Sequence, residues 1–297
     1  MIRPCTFYPN PETAADNAFQ REARGEDPAA ISTRAQKEFD GAVERLREAG
    51  VTVHVFEDTA TPEKPDAVFP NNWFSTHDDG RIVLYPMYSR SRRAERRHDV
   101  VEELGNFYRV REVIDYSPCE EGGLYLEGTG SLVLDHVERV AYASLSQRTS
   151  RELLEKFCAA FAYEPVAFTS AGADGRAIYH TNVLLCIGSA FALAGLELIR
   201  DEAQRSKVRA RLRASGRAVI ELSREQIENF AGNALELHNR KENLLVLSEH
   251  AAAHLTGDQR AIIERHARII SLTLPTIELA GGSARCLMAT IHLPERN

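Results

Sequence analysis

Three residues in this chain have the types and settings from which a nucleophilic site can be built: a cysteine, a histidine and a carboxylate, each on a bend before an apolar run. Cys286 stands in "GGSARCLMATIHLP", residues Gly281 to Pro294, three positions after two glycines and a serine. His180 lies in "RAIYHTNVLLCIG", and Glu127 in "YLEGTGSLVLD". A cysteine attacks as its thiolate, which a nearby histidine or backbone N–H dipoles hold ionised. Glycines let the backbone bend closely around a small ligand and present N–H groups to it. Taken singly, each residue has an ordinary reading: a small buried side chain at a strand start, a satisfied histidine, a loop carboxylate. Together they supply a nucleophile, an acid/base and a carboxylate that orients the imidazole. The other cysteines, Cys5, Cys119, Cys158 and Cys186, form no C-x-x-C pair. Neither a disulfide framework nor a zinc site is indicated, and these four read as structural.

Such residues act together only if the elements carrying them aim at one place. Amphipathic helical stretches begin near Thr33, Ser91, Thr149, Asp201 and Gly257, a cadence that suggests an internal repeat. Short apolar strands follow most of them: "VTVHVF", "YRVREVI", "EPVAFT", "RAVIEL" and "RIISLTL". Between each strand and the next helix lie hairpin-like segments such as "WFSTHDDGRIVLYP", which turns at Asp79-Gly80, and "NALELHNRKENLLVLS". The unit is helix, strand, hairpin, about five times over. A closed ring of five units would form one domain over residues 1–297, because each unit needs neighbours to bury its sheet face. Polar residues that open inner strands in different units would then converge on a central channel.

Composition narrows the class of function. The 297 residues are 43% hydrophobic and 27% charged, with a formal net charge of −7, as in soluble globular proteins. That acidity argues against nucleic acid or an anionic membrane as the main partner. No apolar run reaches the length of a membrane span, and the start lacks the h-region of a signal peptide. The expected location is therefore the cytoplasm. A homo-oligomer is left open.

The motifs in their order resemble those of the guanidino-group-modifying enzymes, the penteins, which include arginine deiminases, dimethylargininases, succinylarginine dihydrolase and amidinotransferases. The landmarks are "DAVFPNNW" from Asp66 to Trp73, "EGTG" at Glu127, "SQRTS" with Arg148, "HTN" at His180, and Cys286 after its glycines. The resemblance covers essentially the whole chain. It implies an α/β fold, a five-bladed propeller of ββαβ units with pseudo-fivefold symmetry. Within the superfamily, "NPETAADNAFQ", "FPNNWFSTH" and "GGSARC" most resemble bacterial citrulline hydrolases.

By the same resemblance, Arg92 and Arg148 match arginines that hold a substrate α-carboxylate, a role suited to the bidentate guanidinium fork. Arg90 and Arg93 leave Arg92 ambiguous by a residue or two. Asp66 matches an acid near the substrate's polar end and could receive the α-amino group; Asn233 opens the fourth unit's inner strand and could face the channel. Arginine deiminases grip the guanidinium with two acids where this chain has Asn72 and Asn182. A buried carboxylate opposite a neutral group would be unpaired and costly, whereas asparagine offers a donor and an acceptor. The two asparagines lean toward the neutral ureido group of citrulline, although dimethylargininases also lack the second aspartate and use a cationic substrate. The implied reaction is covalent hydrolysis by Cys286, His180 and Glu127 to ornithine, ammonia and carbon dioxide, with no metal or organic cofactor. Hydrolysis of arginine or a methylated arginine, amidino transfer, and a non-catalytic binding role are the rivals.

Overall fold

The computed structural model describes residues 1–296 except 22 and 24. Four three-stranded sheets repeat one topology. The first blade is Phe74–Thr76, Arg81–Leu84 and Glu112–Asp115; the second is Val133–Asp135, Val140–Ser144 and Glu164–Phe168. The third is Leu185–Ile187, Phe191–Ala194 and Ala218–Glu221; the fourth is Leu235–His238, Asn243–Ser248 and Arg268–Leu272. In each blade the inner and middle strands form an antiparallel hairpin, and the outer strand runs parallel to the middle one. A parallel return needs a crossover. The helices His98–Phe107, Arg151–Phe161, Glu202–Ala214 and Gly257–Glu264 provide it.

Local chemistry accounts for the joints. Gly80 adopts φ +85° in the first hairpin turn, and Asp79 Oδ1 accepts the amide of Arg81 at 3.1 Å. Ser223 and Thr256 each close a capping box with a glutamine three residues on. The fifth blade is assembled from both ends of the chain. Ile2–Arg3 pairs in parallel with Phe56–Glu57 across the helix Pro28–Glu48. Thr76 Oγ1 donates to the carbonyl of Thr290 at 3.1 Å and accepts the amide of His292 at 2.7 Å, which ties the C-terminal run to the first blade. The ring is thereby closed as a five-bladed propeller.

The expected elements are displaced in places. The first helix starts at Pro28, ahead of Thr33, because Asp27 caps it and proline suits a first helical turn. Its buried residues Ile31, Ala35, Phe39, Ala42, Val43 and Leu46 form one face. The stretch at Ser91 is a 3-10 turn to Glu95, and the helix waits until His98. A 3-10 turn eclipses positions three apart, which stacks Arg92 on Glu95. Of "VTVHVF" only Phe56 enters a ladder, since its partner strand is two residues long. The run after Cys286 joins no ladder, and Cys286 itself sits in a turn at 284–287.

Candidate active site

One residue or pair from the leading end of each inner strand meets at the centre of the ring. Glu127 precedes the short helix Gly128–Ser131, and Tyr88 donates its amide to Glu127 Oε1 at 2.9 Å. Glu127 Oε2 lies 2.8 Å from His180 Nε2. Both side chains are buried. Burial alone would raise the Glu127 pKa, but Arg148, His180 and Arg92 together hold it down to about 2. Burial lowers His180 to about 4 against the pull of Glu127, with Arg148 and Arg92 adding to the lowering. The imidazole is therefore neutral at pH 7, beside an ionised carboxylate.

Two side-chain amides face the thiol. Asn233 Nδ2 is 3.3 Å from Cys286 Sγ and donates also to the carbonyl of Asn182 at 3.0 Å. Asn233 Oδ1 accepts the amide of Arg285 at 3.1 Å, which fixes the orientation of the group. Asn182 Nδ2 is 3.5 Å from Sγ, and Asn182 Oδ1 has no partner among the described residues. Asn72 Nδ2 is buried and likewise unpartnered. These free polar atoms are the ones a ligand can engage.

At the glycine bend Gly282 lines the central cavity. The Cys286 amide donates to the carbonyl of Ser283 at 2.9 Å, and the donors at Sγ are asparagine side chains. A Cβ at residue 282 would lie 2.7 Å from the Phe69 ring, so the bend serves close packing. Gly130 has a parallel role: a Cβ there would lie 2.4 Å from Asn72 Nδ2 and 2.7 Å from His180 Nδ1.

The structure separates the three arginines left ambiguous by sequence. Arg92 is buried and lines the central cavity, Arg93 pairs with Glu120, and Arg90 is exposed. Both cavity arginines already have carboxylate partners from this chain. Arg92 forks onto Glu95, both contacts at 2.9 Å, and lies 3.7 Å from Asp66 and 3.8 Å from Glu127. Arg148 forks onto Asp16, both contacts at 2.7 Å, with its Nη1 3.6 Å from Glu127. Asp66 Oδ2 accepts the Asn10 amide at 2.8 Å.

The cavity is lined by Cys286, His180, Asn72, Asp66, Arg92 and Arg148 together with Thr13, Asn17, Phe69, Tyr179, Ala280 and Gly282. Sequence reasoning missed Thr13, Asp16 and Asn17, although "NPETAADNAFQ" carries a hint. Its polar, turn-forming residues lack any apolar periodicity, as in a functional loop. Glu95 was also missed; its spacing of three from Arg92 was the available signal. No group of three or more metal-binding side chains occurs among the described residues. No helix among them is long and apolar enough to cross a membrane.

The family model described as N,N dimethylarginine dimethylhydrolase, eukaryotic, matches residues 3–293. The chain belongs to this family. Its members and their structural neighbours place it in the guanidino-modifying pentein superfamily, whose hydrolases act on C–N bonds. Among solved structures it is similar to the N-terminal domain of ArgZ, an arginine dihydrolase from Cyanobacteria. That match has TM-score 0.73 and 18% identity, and covers 97% of this chain and 95% of that one. Of full-length ArgZ, the chain spans 39%. A dimethylarginine dimethylaminohydrolase adduct matches at TM-score 0.62 and 13% identity, covering 96% of each chain. No curated protein matches the sequence.

Proposed function

We propose that the chain hydrolyses the ureido C–N bonds of citrulline through a covalent Cys286 intermediate. The observation that carries this reading is the pair of amides aimed at Cys286 Sγ. Asn182 and Asn233 face the thiol, Asn72 lines the same cavity, and Asp66 is the one carboxylate in the lining among the described residues. A neutral ureido group suits amides, which can both donate and accept. Neutral His180 takes the thiol proton as Cys286 Sγ attacks the ureido carbon. The amide donors stabilise the charge that develops on the ureido oxygen. The imidazolium, supported by Glu127, then protonates the departing amine, and His180 next takes a proton from water to hydrolyse the S-linked intermediate. Water releases a carbamate, which splits into the second amine and carbon dioxide, so that one water is consumed overall and ornithine, ammonia and carbon dioxide are the products.

The second reading is hydrolysis of arginine or a methylated arginine. It is favoured by Asp66 in the cavity lining, by the family model, and by the similarity to an arginine dihydrolase fold. A panel of citrulline, arginine, dimethylarginine, agmatine and succinylarginine, assayed for ammonia and ornithine, separates the two. Faster turnover of arginine than of citrulline overturns the citrulline reading. The variant Asn72→Asp/Asn182→Asp places up to two negative charges beside a neutral ligand, a penalty of several kcal/mol. Each ~1.4 kcal/mol lost in binding is tenfold. The expected result is loss of most citrulline kcat/KM with a gain in arginine binding; an unchanged citrulline kcat/KM in the folded variant removes the asparagines from the site.

A further inference from the structure

The cavity at the centre of the ring measures about 20 Å3, room for about one water. An amino acid of roughly a dozen non-hydrogen atoms needs many times that space, more like the ~300 Å3 at the small end of ligand pockets. Part of the lining must therefore move before substrate enters. The segment Asn10–Gln20 forms a strap across this cavity, contributing Thr13 and Asn17 to its wall. Asn10 holds Asp66 and Ser91, and Glu12 accepts the amides of Arg90 and Ser91. Asn17 donates to the carbonyl of Ala280, and Phe19 packs on Tyr179 and Phe230. At its middle, Asp16 reaches down to the fork of Arg148.

The contact has the form of a ligand bond. Arg148 is buried, its side chain 2% exposed, while Asp16 comes from the surface at 14%. Both Asp16 oxygens are engaged, at 2.7 Å each, by the Nε and Nη2 edge of the guanidinium. A free carboxylate entering from solvent would use the same edge with the same geometry. Exchange of one carboxylate for another leaves the local charge unchanged, so Arg148 would never be left as an unpaired buried cation.

We propose that Asp16 is a built-in stand-in for the substrate's α-carboxylate. It occupies the Arg148 fork in the closed, substrate-free form and yields that fork to an entering α-amino acid. The proposal rests on the reading of the site as one for a free amino acid, and deepens it by naming the group the substrate displaces. A ligand that must displace an internal competitor binds more weakly by the fraction of molecules in which the fork is free. Asp16 is thus a residue that selects for ligands bearing a carboxylate strong enough to compete.

The test compares Cys286→Ala with Cys286→Ala/Asp16→Asn, binding citrulline, arginine, ornithine and the carboxylate-free agmatine by calorimetry. With the competitor removed, every α-amino acid that binds should bind roughly tenfold tighter, while agmatine shows no gain. Asp16→Ser, equally uncharged and shorter, must behave in the same way and guards against a fold defect peculiar to one variant. Unchanged or weaker binding of the α-amino acids in folded variants makes Asp16 a fixed clamp and overturns the proposal. Absence of amino-acid binding in all variants overturns it as well. A preference for arginine over citrulline, with the tenfold gain intact, overturns the citrulline reading alone.

Discussion

At the scale of single residues, what distinguishes Cys286 from the other thiols is its company. Burial pushes the Cys158 and Cys186 thiols up to about 12, so both are inert near neutral pH. Cys286 is just as buried, but two amide donors face its sulfur and a neutral imidazole shares its cavity. Cys286→Ala should abolish turnover while leaving the fold and amino-acid binding intact, measured by ammonia release, circular dichroism and calorimetry. Iodoacetamide mapping gives a second view of the same residue. Cys5 is exposed and Cys119 partly so, and they will be labelled irrespective of substrate. Labelling of Cys286 should slow when substrate is present, and labelling of Cys158 and Cys186 should stay minimal. An active Cys286→Ala, or a Cys286 whose labelling ignores substrate, removes it from the site.

At the scale of elements, short helical turns at the strand entrances set the geometry. Thr181–Val183 and Pro70–Asn72 are 3-10 turns, and Gly128–Ser131 is a single helical turn, each directly ahead of an inner strand. They place Asn72 and His180 against the bare α-carbon of Gly130. Gly130→Ala should displace one or both of them at a cost of about 1–3 kcal/mol in stability, the usual range for overpacking. Activity should fall far more than stability, because both displaced groups belong to the proposed reaction. Denaturant titration beside kcat measurement checks this. Equal kcat in a stable Gly130→Ala protein would mean that the contact does not set His180. The run after Cys286 was harder to foresee. "CLMATIHLP" alternates as a strand would, yet its long-range backbone hydrogen bonds go to Thr76 and the Arg109 amide and leave it outside any ladder.

At the scale of the whole molecule, buried neutral histidines make stability depend on pH. Burial, helped by His136 and His292, lowers His77 to about 3; it lies 3.0 Å from Ser75 Oγ and packs on Phe161. His180 is lowered to about 4. Both folded values lie below the unfolded 6.5, so the unfolded chain binds protons first as pH falls. Stability from His180 is lost between pH 6.5 and 4, on the order of 3 kcal/mol, and that from His77 between 6.5 and 3, on the order of 5 kcal/mol. Glu127, at about 2 when folded, adds its loss only below about 4.5. The melting temperature should therefore begin to fall near pH 6.5, before the carboxylates titrate. In His77→Asn the decline should be shallower over the same range. A melting temperature flat from pH 7 to 5 would show that these histidines charge freely in the fold.

The sequence by itself determined the repeat, the hairpins and the family, and it singled out Cys286, His180 and Glu127, of which the fold sets His180 against Glu127 and in one cavity with Cys286. Those signals are local or ordered along the chain: apolar periodicity marks the helices, Asp79-Gly80 marks a turn, and the spaced motifs mark the superfamily. Only the tertiary structure decided which of three neighbouring arginines lines the cavity and which carboxylate each arginine meets. Arg148 and Asp16 are 132 positions apart, and Cys286 is 104 from Asn182. A charge or an amide has no partner written into its neighbours in sequence, because Coulomb and hydrogen-bond energies depend on distance in space. Closure of the ring by residues 76, 290 and 292 sets those distances, and it also lays the strap with Asp16 over the site.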